Sequence, residues 1–155
     1  MTPIRITSGR HPFEVVVLIA ALVVATILIL TNTRPPAVDA AMPGPVRLVW
    51  VILLAVSGVV GLLGVFWRGA IQTSLSIEAI AVLVLGTAAA MYTVGVVAFA
   101  GIDGAAAGGF VAAVGAGSWW RLTQIWGDLR RFDQAVKAQI IGEVTTLIGQ
   151  RTNHE

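Results

Sequence analysis

Val15-Val16-Val17-Leu18-Ile19-Ala20-Ala21-Leu22-Val23-Val24-Ala25-Thr26-Ile27-Leu28-Ile29-Leu30 is the stretch that decides the fold class. Its one polar side chain is Thr26, whose hydroxyl has a bonding partner in the preceding helical turn. With its flanks, Phe13 to Thr31, the block approaches the roughly 20 apolar residues that a helix needs to cross about 30 Å of hydrocarbon. Lipid offers no partner to backbone N–H and C=O groups, so a segment in it must satisfy its own, as a helix does.

Working outward, three more blocks have the same character. Val46 to Trp67 carries no charge after Arg47, and Ile77 to Ile102 carries none after Glu78. Ala105 to Trp126 is the leanest, with few large apolar groups before Trp119 and Trp120. Full length there requires Arg121 near the membrane interface, from which its guanidinium is expected to snorkel to water. The expectation is an all-α, polytopic membrane protein with four transmembrane helices at 13–31, 46–67, 77–102 and 105–126. Residues 1–12, 68–76 and 127–155 would lie on one side, and residues 32–45 and 103–104 on the other.

Composition agrees. Hydrophobic residues make up 57% of the 155 and charged residues 12%, against about 45–50% and about 25% in a typical soluble domain. Four buried helices of a soluble core would leave almost no sequence to cover them. A cleaved signal peptide would also explain the first block, since Arg5 and Arg10 precede it and Val38-Asp39-Ala40 resembles a cleavage site. That site lies well beyond the apolar run, past Arg34 and two prolines, which favours a retained span.

Basic residues near spans stay in the cytoplasm. Arg5, Arg10, Arg68, Arg121, Arg130, Arg131, Lys137 and Arg151 share one side, against Arg34 and Arg47 on the other, so both termini are expected to be cytoplasmic. Trp67, Trp119, Trp120 and Trp126 fall at predicted inner ends, and Trp50 near an outer start, as interface anchors. Four prolines, Pro35, Pro36, Pro43 and Pro45, predict a stiff, non-helical outer loop. Asp103-Gly104 predicts a tight turn between the third and fourth spans.

Two features bear on function inside the membrane. Gly104, Gly108, Ala112 and Ala116 recur every four residues, and Ala105, Gly109, Ala113 and Gly117 form a second stripe beside them. Small side chains let helices approach closely, within one chain or between copies. Glu78 is the intramembrane carboxylate that the span pattern singles out. Placed just after Ser74 and Ser76, it reads as a helix-start charge or an interfacial partner, with transport as the sharper alternative. In the tail, Leu129, Phe132, Val136, Ile140, Val144 and Leu147 share a helical face, suited to the membrane surface, a partner helix or, less well because the spacing is not a clean heptad, a short coiled coil.

Other chemistry is missing from the sequence. No cysteine is present, and the two histidines, His11 and His154, lie near the ends. The pattern therefore contains no thiolate or paired-His metal motif and no catalytic triad. No pair of acidic residues is expected to meet inside the membrane. The glycine-rich Gly101 to Gly109 lacks the Lys-Ser/Thr ending of a phosphate loop. The reading is of a non-enzyme without cofactor, and without a nucleic-acid partner, since topology alone accounts for the basic residues.

Thr7-Ser8-Gly9-Arg10-His11-Pro12-Phe13-Glu14, leading into a span, resembles the start of small four-span membrane proteins encoded by actinobacterial phages. Arg121-Leu122-Thr123-Gln124-Ile125-Trp126, followed by Asp128-Leu129-Arg130-Arg131, is similar to the end of their fourth span. The resemblance implies location in the bacterial host's inner membrane. It also implies a holin-like lysis accessory acting through helix association, with Gly104, Gly108 and Ala112 as contacts and no catalytic residues. A different reading rests on the tail: a membrane anchor whose C-terminal helix recruits a cytoplasmic protein. In either case the bilayer is the first partner, and a second copy or another protein the next.

Orientation is directly testable. A cysteine placed after Trp126 should resist an impermeant thiol reagent in intact cells, and one placed in residues 36–45 should react. Labelling of the tail from outside would invert the arrangement.

Overall fold

A computed structural model describes residues 12–32 and 36–152, without the side chains of 37 and 139–152. His11, His154, Arg5, Arg10, Arg34 and the Thr7 to His11 stretch lie outside the described residues, and so do the side chains of Ile140, Val144 and Leu147. The described chain is all-α, with no strand. Helix α1 spans Pro12–Thr31, α2 Pro36–Ala41, α3 Gly44–Phe66 and α4 Ile71–Ala100. A 3-10 turn at Gly101–Gly104 leads into α5, Ala105–Thr152. Gly101 turns the corner at φ +58°, a conformation that costs glycine little and other residues much.

Three stretches are long and apolar enough to cross a membrane: Pro12–Thr31, Gly44–Phe66 and Ile71–Ala138, the last comprising α4, the turn and the first part of α5. The apolar window of α1 is only 17% buried within the chain. Its outward Val, Ile and Leu side chains would be costly to leave in water. Such helices, with their apolar faces turned out, point to membrane association.

The long helices lie antiparallel in a row, α1 against α3, α3 against α4, and α4 against α5. Close approach sets each contact. A Cβ added to Gly58 would sit 2.7 Å from Leu22 Cβ and 3.0 Å from the Leu18 carbonyl oxygen, so only glycine lets α3 lie this near α1. At Gly64 the corresponding contact is 3.0 Å from the backbone nitrogen of Glu78, in α4. Ser74 Oγ donates to the Gly64 carbonyl at 2.8 Å, fastening the start of α4 to the end of α3. Leu18, Ala21, Val65 and Leu85 fill the centre, and Leu75, Ala79, Val82 and Ile125 fill the α4–α5 seam.

Several sequence expectations are corrected. The proline-rich connection contains a helical turn, because Pro36 occupies the first helical position, where its missing N–H has no bond to lose. Val38 and Met42 from this connection are buried against Trp50 and Ala88, and Arg47 pairs with Asp39. Helix α4 begins at Ile71, six residues before the expected Ile77, so Glu78 lies two turns inside it and is not a helix-start residue. Trp50, expected as an interface anchor, faces inward: its Nε1 donates to the Ala88 carbonyl at 3.1 Å and its ring stacks on Tyr92. Trp67, Trp119, Trp120 and Trp126 are exposed.

The four-residue stripe on α5 is also redrawn. Gly104 packs on Val96 and Gly108 on Val97, but Ala112 is half-buried and Ala116 is exposed. With 3.6 residues per turn, a strict spacing of four drifts around the helix. The buried positions along this segment are Gly104, Gly108, Gly115, Ser118, Arg121 and Ile125, spaced by three, four or seven. Of the second stripe, Gly109 and Gly117 have open space where a Cβ would stand, and Ala105 and Ala113 are exposed.

Replacing Gly58 with Val should destabilise the bundle by about 1–3 kcal/mol, the usual range for overpacking. Thermal unfolding in detergent measures it. A wild-type melting temperature would show that α1 and α3 tolerate separation.

Candidate functional site

The site is built from one residue on each of three helices. Glu14 stands in the first turn of α1, where a carboxylate complements the helix dipole. Glu78 stands on the face of α4 that Gly64 allows against α3. Arg121 projects from α5. The antiparallel rows bring all three to one level of the bundle.

Arg121 Nη2 donates to Glu78 Oε1 at 2.6 Å, and Arg121 Nε donates to the same oxygen at 3.0 Å. Arg121 Nε also lies 3.1 Å from Glu14 Oε2. Both ends of the stronger pair are enclosed: the Arg121 side chain is 8% exposed and that of Glu78 3%. One guanidinium therefore serves two carboxylates, and the arrangement leaves two polar atoms over. Arg121 Nη1 and Glu14 Oε1 are buried with no hydrogen-bond partner among the described residues.

Beside the triad runs a groove of about 340 Å³. Helices α1 and α5 make no close backbone approach, and α4 floors the gap between them through Val82 and Leu85. Val17 and Val114 form its apolar walls, while Phe13 and Trp120 stand exposed at the rim. Glu14 and Arg121 line it at one end. This volume falls in the range of about 300–1,000 Å³ common to small-molecule sites.

The triad overturns three expectations. Arg121 does not reach out to water but turns inward, because two carboxylates within the bundle offer it charge-assisted bonds. Glu78 is not a lone carboxylate, and two acidic residues do meet. Glu14 is the member that the sequence pattern does not mark, because it stands at the very start of the first apolar block and carries no motif of its own. Its position inside the 13–31 span was the available signal, since ionisable groups at such depth need partners. Among the described residues no three His, Cys, Asp or Glu side chains converge as a metal site would require.

Removing one partner of a buried ion pair leaves an uncompensated charge, at a cost of about 3–5 kcal/mol. Arg121→Gln should lower stability in detergent by that amount. Replacing Glu14, Glu78 and Arg121 together with apolar residues of similar volume should recover most of it. An Arg121→Gln protein that melts like the wild type would show that the triad does not hold α1, α4 and α5 together.

Comparisons with protein-family models, with curated proteins and with solved structures find no match for this chain.

Proposed function

We propose that the protein is a non-catalytic, four-span membrane protein that acts by associating with other helices in the membrane, with both termini in the cytoplasm. The four spans are α1, α3, α4 and the first part of α5. The apolar stretch Ile71–Ala138 is far longer than one crossing and folds back at Gly101–Gly104, which supports counting α4 and α5 separately. At about 1.5 Å per residue, α4 alone exceeds the hydrocarbon thickness.

One observation carries the association reading. α5 has small residues on two faces, and the bundle uses only one. Ala105, Gly109 and Ala113 form an exposed strip of small residues, while Gly117, next in the same series, lines the groove between α1 and α5. Within lipid, such strips favour contact between helices through close packing of backbones. The resemblance to actinobacterial phage proteins makes a holin-like role in the host inner membrane the specific form of this proposal. A holin-type protein would accumulate and then open the membrane by helix association.

A second reading, recruitment of a cytoplasmic protein, draws on the unbroken course of α5. It passes Trp126 and Gly127 without interruption and continues to Thr152. The part beyond Trp126 is about 39 Å long. Lys137 and Asp133 pair along it at 2.7 Å, four residues apart.

Induction of the protein alone in a bacterial host should collapse membrane potential, and Gly109→Ile with Ala113→Ile should delay or abolish the collapse and reduce cross-linked oligomers. Sustained potential at high expression would defeat the holin-like form. Loss of activity on deleting the chain after Arg131, with oligomers intact, would favour the recruiting tail.

A further inference from the structure

We propose that Glu14 is a proton-operated latch. As a carboxylate it holds the start of α1 to Arg121 across the groove, and on taking up a proton it lets α1 part from α5 while Arg121 stays paired with Glu78. The inference concerns the triad itself and does not depend on the association reading above.

The first argument is a count of charges. Glu14 and Glu78 share one guanidinium, so with both ionised the cluster carries one negative charge in excess. Enclosed charge without a partner is costly. The elements around the cluster supply no second cation among the described residues. Helix α1 has no charged residue besides Glu14, and α4 none besides Glu78. Tyr92 of α4 stacks on Trp50 toward the other end of the bundle. Helix α3 packs at this level through Gly61, Gly64 and Val65, with Arg47 at its opposite end. On α5, Asp128 stands two turns beyond Arg121 and lies 3.7 Å from Arg131, and Arg68 between α3 and α4 is exposed. One proton from water on a carboxylate oxygen restores the balance, with no other bond made or broken.

The second argument decides which carboxylate takes it. Glu78 Oε1 accepts from Arg121 Nη2 at 2.6 Å and from Nε at 3.0 Å. Glu14 meets the guanidinium through Oε2 at 3.1 Å, and its Oε1 has no donor among the described residues. Its side chain is also the more open of the two, 13% exposed against 3%. Hydrogen bonds to the charged form hold a carboxylate in that form, so the one with fewer gives it up first.

The third argument is what else holds α1. Its backbone makes no close approach to α5, and its packing is on α3, where Leu18 and Leu22 meet Gly58 and Gly61. A charge-assisted bond is about twice as strong as a neutral one. With Glu14 neutral that contribution is lost, and Arg121 keeps a matched partner in Glu78. The start of α1 is then free to move off α5 and widen the groove over Val82 and Leu85.

The chain has no cysteine, so introduced pairs can carry spin labels without further change. Val16→Cys with Thr123→Cys reports the α1–α5 separation, and Ile80→Cys with Thr123→Cys reports α4–α5, all at exposed positions. Acidifying the full-length protein in lipid nanodiscs from about pH 8 to about pH 4, below the ordinary glutamate value, should lengthen the first distance. A shift of roughly 2 Å is expected, the scale of helix movements in switching proteins. The second distance and the helical content should stay as they were. Glu14→Gln should show the long distance at both pH values. Glu78→Gln leaves Arg121 with Glu14 alone, so it should keep the short distance at about pH 8 and resist acid more than the wild type. This variant decides should Glu14→Gln fold poorly, because a long distance in it at about pH 8 would assign the proton to Glu78 and overturn the latch. A wild-type α1–α5 distance that ignores pH would overturn it too. So would an acid response that survives in Glu14→Gln, or a lengthening accompanied by loss of helix or of the α4–α5 distance, which is unfolding.

Discussion

A guanidinium enclosed by apolar helices has to be neutralised where it stands, and most of the architecture follows from how Arg121 meets that demand. Its charge is taken up by Glu78 on the neighbouring helix and by Glu14 on a helix that α5 does not otherwise approach. The long Arg121 side chain meets Glu14 at 3.1 Å and Glu78 at 2.6 Å, so three helices are tied across a gap that the backbones of α1 and α5 leave open. The groove is the visible consequence.

The triad depends in turn on small residues elsewhere. Gly64 brings the backbone of Glu78 against α3, and Ser74 anchors the same turn through the Gly64 carbonyl. Gly58 and Gly61 seat α3 against Leu18 and Leu22 of α1, which sets the level of Glu14. Gly86 accepts the ring of Trp119, and Gly115 lies on Ala89, so α5 approaches α4 closely over much of its proposed span. Thr93 Oγ1, 2.9 Å from the Ala89 carbonyl and 3.2 Å from that of Gly108, adds a polar tie at the far end of this seam. Where apolar burial gives little net drive, as in lipid, such close packing and a few polar contacts carry the association.

The far end of the bundle is finished differently. The connection between α1 and α3 folds over the α3–α4 contact, with Val38 and Met42 covering Trp50. Trp50 thereby acts as a core residue with a satisfied indole. The charged partners Asp39 and Arg47 stay at the periphery of the same corner, where an ion pair contributes little to stability. The two ends thus differ in kind: one closes on apolar packing, and the other holds buried charge beside an open groove.

The sequence by itself determined where the long helices run and that their apolar surfaces look for a solvent other than water. Those properties are local, since hydropathy and backbone bonding are settled within about 20 consecutive residues. It also carried a tight corner at Asp103-Gly104, within the turn that the structure draws at Gly101–Gly104. Only the tertiary structure decided what the charges do. Glu78 and Arg121 are 43 residues apart in the chain, and no local pattern at either end names the other. Tertiary packing likewise turned Trp50 inward, and it divided the small residues of α5 between a buried face and an open one. Each of those outcomes depends on which helix lies alongside, a relation between distant segments that spacing within one segment does not contain.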